Sequence, residues 1–330
     1  MISATVPSLQ FDVLVVGGGP AGVGAAVAAA RMGAHTALLE RSGLLGGMLT
    51  AGQVQPILGN VAPGSFYDEI VALLAEGHED VPLIATRNGR EIHVDVEEAK
   101  ERLLRLTHES GVEIFLHTPV VEVLKDGCRV TGVLAGTALG LQELHASVVI
   151  DATGDGFAAM RAGAQYHIGR EQDGRCQPVT IEFLVDHLDE SRALSCFGGS
   201  DPVTLPDGKK YSQLCRECCE RGEDDFMYPM PPEWLHAIVK PPFYGCRIGG
   251  NLYGTKAGLL INDQMQVVGT NGLVIPGLYA GWHTAGGACG ENSYIGDPIL
   301  GSLMGDVGLA FCGGYLCGTS AVEHELQGAK

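Results

Sequence analysis

The chain has 330 residues, of which 48 are glycine, about 15% and roughly twice ordinary usage. Hydrophobic residues make up 45% and charged residues 18%, which excludes a disordered chain and favours a large buried core. Lysine and arginine number 21 against 39 aspartates and glutamates, and a formal charge of −18 excludes the usual basic nucleic-acid binder.

Phe11 to Val16 (FDVLVV) reads as a buried parallel strand. Gly17, Gly18, Gly19, Pro20, Ala21 and Gly22 follow, and then an alanine-rich helix runs to about Arg31. Gly17-x-Gly19-x-x-Gly22 between strand and helix is the dinucleotide fingerprint in its required context. Gly17 serves the tight turn, Gly19 the approach of a pyrophosphate, and Gly22 the packing of helix on strand. The helix N-terminus, at Pro20 and Ala21, would face the phosphates with its partial positive charge. A second strand, His35 to Leu39, ends in Glu40, placed to accept from a ribose hydroxyl and to disfavour a 2′-phosphate. Arg41 and a glycine-rich loop follow, Gly43 to Gly47 and Met48.

An acid and a base followed by a glycine pair resemble the glutathione-reductase-type FAD fold. The resemblance implies that Gly47 and Met48 lie where a flavin passes close to the backbone.

Val94 to His108 has helical spacing, with Asp95, Glu97 and Glu98 early and Arg102 and Arg105 late, the order that suits the helix dipole. Gly111 to Leu116 reads as a strand. Pro119 to Leu124 and Arg129 to Ala135 read as a hairpin about Asp126-Gly127. Leu144 to Ile150 is a further strand, leading into Asp151-Ala152-Thr153-Gly154-Asp155-Gly156. This stretch resembles the FAD-dependent oxidoreductases. There the residue at Val121 meets adenine through its backbone, and the turn at Thr153, Gly154 and Asp155 returns beside the pyrophosphate.

Residues 157–240 differ in composition, with charge clusters and a proline group at Pro229, Pro231 and Pro232. They read as a small cap inserted into the cofactor domain. Cys215-x-x-Cys218-Cys219 falls in it; a second nearby pair is absent, so no metal is expected and structural thiols are the favoured reading. Met1 to Gln10 shows no signal peptide and no apolar run reaches bilayer length, so a cytoplasmic protein with reduced cysteines and no membrane span is expected.

Near the C-terminus stand Pro241-Pro242-Phe243-Tyr244, Gly254-Thr255-Lys256-Ala257-Gly258-Leu259 and Ile275-Pro276-Gly277-Leu278-Tyr279-Ala280. In this order they resemble the fumarate reductase / 3-ketosteroid dehydrogenase flavoproteins. The resemblance implies a strand ending at Ala280 and a flavin loop beginning at Gly281, Trp282 and His283. It also implies a helix from Gly301, Ser302 and Leu303 whose N–H groups face the flavin. Trp282 and His283 stand where fumarate reductases have Gly-Glu, and Ser293 stands at their substrate arginine, so fumarate itself is not expected. Tyr294 matches the start of the ketosteroid dehydrogenase T-Y-P-G-x-G segment, but a later glycine of that segment falls near Pro298, which has no N–H.

The expected protein is therefore α/β. A Rossmann-like FAD-binding domain, a parallel sheet with helices and a small antiparallel meander, is built from 1–156 and 241–330 and interrupted by the cap. FAD is expected to bind non-covalently, because the attachment histidine of the fumarate-reductase-type flavoproteins has no match near Gly46 to Gly52. The expected reaction moves a hydride between flavin N5 and a small substrate at a C–C bond next to a carbonyl. Tyr294 and His283 are the candidate polarising groups, Arg247 the candidate anion anchor, and Tyr244 a further contact. Alternatives are oxidation of a C–OH or C–N bond, or an electron-transfer subunit. A homo-oligomer or a partner subunit is expected to complete the substrate side.

Overall fold

A computed structural model describes residues 8–59, 61–78, 84–86, 89–168, 258–281, 284–285 and 306–328. All of them belong to one of the two compact units into which the chain divides.

The unit is built on a sheet whose middle strand is the first one, β1 (Leu9–Val16). Val13 to Val16 are buried on both faces, as a β-branched run in a parallel sheet requires. Helix α1 (Pro20–Arg31) carries the chain to β2 (Thr36–Leu39), which pairs parallel to β1. Ala21 to Ala29 are all buried. The small alanines and glycines let the helix lie close against its neighbours, and the alanines favour the helix.

Between β2 and the next strand of this sheet lies a longer segment. It forms β3 (Pro56–Gly59), α2 (Phe66–Leu74), β4 (Ile84–Thr86) and β5 (Gly89–His93). The three strands make a separate antiparallel sheet in the order β3-β5-β4. Helix α3 (Val96–Glu109) follows, one or two residues later than its spacing predicts, because Asp95 is its N-cap. Asp95 Oδ1 accepts from the N–H groups of Glu97 (2.8 Å) and Glu98 (3.1 Å). Arg102 ties α3 to the end of α2 by donating to the carbonyls of Leu74 and Glu76, each at 2.7 Å.

Strand β6 (Glu113–Phe115) pairs parallel to β2. The expected hairpin is β7 (Val120–Asp126) and β8 (Arg129–Thr137), turning at Gly127. Strand β9 (Gly140–Asp151) starts earlier than the apolar run suggests, because its first half closes the meander against β8. Its second half runs parallel to β1. Helix α4 (Phe157–Ala162) and the residues after it, read from the sequence as the start of the cap, are held in this unit. The Gln165 N–H donates to the Val268 carbonyl at 2.9 Å.

The chain returns as β10 (Gln266–Val268) and β11 (Val274–Ala280), and β11 pairs parallel to β9. Among the described residues the main sheet runs β10-β11-β9-β1-β2-β6, with β8 and then β7 branching from β9. Helix α5 (Asp306–Ala321) crosses α1 with backbones touching. A Cβ at Gly314 would lie 1.9 Å from the Ala21 carbonyl oxygen, and one at Gly318 2.2 Å from that of Ala25. The arrangement is the expected α/β one, a mostly parallel sheet with helices and a small antiparallel meander.

Candidate functional site

The register of the sheet brings four strand ends together. Val16 lies opposite Leu39 on one side and Asp151 on the other, and Asp151 lies opposite Ala280. Gly17, Glu40, Ala152 and Gly281 therefore leave the sheet side by side. Their backbones are cross-linked: Gly17 N–H donates to Leu39 O (2.8 Å), Ala152 N–H to Val16 O (2.9 Å) and Gly281 N–H to Asp151 O (3.0 Å). The chain moves from β1 towards β2 on one flank and later fills the other flank with β9. This is the topological switch at which open parallel sheets bind ligands.

The three fingerprint glycines differ in what they face. Gly17 has φ +100°, and a Cβ there would stand 2.6 Å from Ala152 O. A Cβ at Gly22 would fall 1.8 Å from Gly17 O, so helix and strand touch there. At Gly19 a Cβ would have no neighbour within 4 Å. Gly17 and Gly22 thus serve the protein's own packing, and Gly19 lines a space. No side chain caps α1 and no acid lies in its first turn, unlike α3, so the positive end of its dipole is left for an anion.

Glu40 is fixed beside this loop. Its Oε2 accepts from Gly18 N–H and its Oε1 from Ser42 N–H, both at 2.7 Å. Each oxygen keeps a further lone-pair site for a hydroxyl donor. The glycine-rich loop folds back on the fingerprint: Gly46 N–H donates to Gly18 O (2.7 Å), and a Cβ at Gly47 would stand 3.0 Å from Gly19 Cα. Met48, next along, is exposed. Arg41 and Asp155 face each other at 4.0 Å, both largely exposed, from two different strand ends. Val121 is the extra residue of a bulge between the pairs Val120–Ala135 and Glu122–Leu134, so its backbone is released from the ladder. His117, with φ +51°, donates its N–H to Ser42 O at 2.9 Å and brings that bulge towards Glu40.

The turn after β9 is organised by Asp151, fully buried at its base. Its Oδ1 accepts from Thr153 N–H (3.0 Å) and Thr153 Oγ1 (2.8 Å), and its Oδ2 accepts from Ala159 N–H (2.8 Å). Burial pushes its carboxyl above the ordinary range, opposed by these hydrogen bonds. Gly154 N–H donates to Thr284 Oγ1 at 3.1 Å, which pins the turn to the segment after β11. Asp151 and Thr284 were not singled out from the sequence. Asp151 stood in a recognisable turn as a strand's last residue, whereas Thr284 carries no local signal.

The residues Gly17, Gly19, Pro20, Ala21, Gly22, Glu40, Arg41, Gly47, Met48, Thr153, Gly154, Asp155 and Gly281 thus gather at one end of the sheet, with Val121 on the adjoining meander. Tyr294, His283, Arg247 and Tyr244 lie outside the described residues, as do Trp282, Gly301, Ser302, Leu303 and Cys215, Cys218 and Cys219. Among the described cysteines Cys128, Cys312 and Cys317 are free thiols, and burial pushes those of Cys312 and Cys317 up.

The cradle fits an elongated dinucleotide: an open face over Gly19, an uncapped helix start, and a carboxylate one strand away. Known proteins agree. The profile of the FAD dependent oxidoreductase family matches residues 12–237. A vinyl phenol reductase of Lactiplantibacillus plantarum is 31% identical over 115 residues, 35% of this chain and 22% of that protein. A digeranylgeranylglycerophospholipid reductase of Picrophilus torridus is 30% identical over 161 residues, 45% of this chain and 40% of that protein. The matches thus span well under half the length of these relatives. In overall fold the chain is similar to the 3-ketosteroid-Δ4-(5α)-dehydrogenase of Rhodococcus jostii. The TM-score is 0.57 at 16% identity, covering 97% of this chain and 98% of the other. Among the described residues no helix is long and apolar enough to cross a membrane.

Proposed function

The chain belongs to the FAD dependent oxidoreductase family, and from that premise we propose that it reduces or dehydrogenates a C–C bond next to a carbonyl in a small organic substrate. When bound, FAD supplies the hydride acceptor or donor. The chain's own part begins with holding it. The start of α1 and Gly19 would receive the pyrophosphate, Glu40 a ribose hydroxyl, the freed backbone of Val121 the adenine, and the Gly46 to Met48 loop the ring side.

What supports a substrate contact at His283 is its place in the sequence, between two described residues that are bonded to the turn after β9. Gly281, two residues before His283, is bonded to Asp151 O, and Thr284, the next residue, accepts from Gly154 N–H. In this reading Tyr294 donates a hydrogen bond to the substrate carbonyl, with His283 beside it and Arg247 and Tyr244 holding the rest of the molecule. A proton donor so placed contributes about 10²- to 10⁴-fold to the rate. The choice of a C–C bond is supported by two relatives named as reductases of a vinyl phenol and of a digeranylgeranyl lipid. The proposed setting is cytoplasmic, with a second copy or partner chain completing the substrate side.

The test is anaerobic. Reduced, FAD-loaded protein is mixed with panels of activated alkenes, 2-hydroxy acids and amines, and flavin absorbance is followed. Reoxidation by an activated alkene, slowed at least about 10²-fold in Tyr294→Phe, is the expected result. Failure with every alkene, together with reduction of oxidised protein by a hydroxy acid or amine, would refute the reading in favour of C–OH or C–N chemistry.

A further inference from the structure

Gln53 stands out for two independent reasons. It is one of three described non-glycine residues with positive φ, at +61°. Its side-chain Oε1 is buried and accepts no hydrogen bond. Among the described residues the only other such atom is Ser65 Oγ, which faces the Cys312 thiol. A buried acceptor left without a donor is rare in folded proteins and calls for a partner. A strained backbone of this kind persists only where the surroundings impose it, commonly at ligand clamps.

The surroundings here are the glycine-rich loop. Gly52 N–H donates to Gly47 O (3.0 Å), Gln53 N–H to Thr50 O (3.4 Å) and Val54 N–H to Met48 O (2.9 Å). Thr50 Oγ1 in turn donates to Leu45 O at 2.5 Å. This nest of turns fixes the Gln53 backbone. The same loop rests on Gly18 and Gly19 through Gly46 and Gly47. A cofactor that leaves its ribose at Glu40 and crosses Gly19 meets this loop next.

We propose that the Gln53 side chain is a cofactor ligand, its amide oxygen accepting a hydrogen bond from a ring N–H of the isoalloxazine. The inference rests on FAD lying along this loop, and it adds a residue that neither the fingerprint nor the glycine pair specifies. The chemistry fits because the flavin ring presents N–H donors at its polar edge. An uncharged acceptor can serve them without adding to the negative charge of the reduced ring.

The experiment compares wild type with Gln53→Leu, with Gln53→Met as a second variant of similar length. Three quantities are read: thermal stability of the apoprotein, FAD affinity by flavin fluorescence, and the flavin midpoint potential. An orphaned acceptor does nothing for the apoprotein, so its melting temperature should stay unchanged or rise. FAD affinity should fall about tenfold, the worth of one buried hydrogen bond. If the donor is the N–H present only in the reduced ring, the potential also becomes more negative. Affinity within twofold of wild type in both variants would overturn the proposal. So would an affinity loss that appears only with a lowered apoprotein melting temperature, which would make Gln53 structural. Failure of the wild type to bind FAD would instead strike at the cofactor site as a whole.

Discussion

Gly19→Ala separates ligand binding from folding. The Gly19 backbone has φ −69° and ψ −178°, a conformation open to any residue. The added methyl group meets nothing within 4 Å of the protein. The apoprotein should therefore gain about 0.4–1 kcal/mol from a less flexible unfolded chain. At roughly 2–4 °C per kcal/mol for a domain of this class, its melting temperature should rise by about 1–4 °C. In the proposed site the same methyl stands where the pyrophosphate would approach. Overpacking costs about 1–3 kcal/mol, which weakens FAD about 5- to 150-fold. Thermal unfolding with and without FAD reads both effects. At FAD one hundred times the wild-type Kd, wild type gains about 2.7 kcal/mol, whereas a variant weakened a hundredfold gains only about 0.4 kcal/mol. The converse substitution, Gly22→Ala, places its methyl 1.8 Å from Gly17 O and should lower the stability of the apoprotein itself. An unstable Gly19→Ala apoprotein, or one with wild-type FAD affinity, would refute the division of roles among these glycines.

Gly314→Ala should cost about 1–3 kcal/mol by forcing α5 from α1, seen as a lower melting temperature with or without cofactor. Asp151→Ala removes three accepted hydrogen bonds from the turn after β9 and should cost about 3 kcal/mol at low pH. Burial raises the folded-state pKa of Asp151 above its unfolded value, so the native state holds the proton longer. The stability difference between wild type and Asp151→Ala is then largest below about pH 4 and narrows as pH rises through the raised value. A difference that widens with pH would contradict this. Glu40→Ala frees the Gly18 and Ser42 N–H groups and removes the hydroxyl acceptor. Titration should show FAD affinity reduced about tenfold or more.

The cofactor end was legible because its requirements are local. A tight turn, a close helix and an acid at the next strand end all fall within Phe11 to Glu40. The spacing is dictated by one strand-helix-strand unit. The hairpin at Gly127 and the turn from Asp151 to Gly156 were readable for the same reason. The sheet of β3, β4 and β5 was not, since strands of three to five residues are too short to show a period. Three features belong to the tertiary structure alone. Gly314 meets Ala21 across nearly the whole chain, Thr284 takes the N–H of Gly154, and the oxygen of Gln53 is buried without a donor. Each depends on which segments the sheet register brings together. The sequence by itself determined a strand, a tight turn and a helix carrying the dinucleotide fingerprint at Gly17 to Gly22. The folded chain decided which of those glycines serves packing and which faces open space, because that division depends on atoms at Ala152 and Gly17 meeting through strand pairing and helix packing.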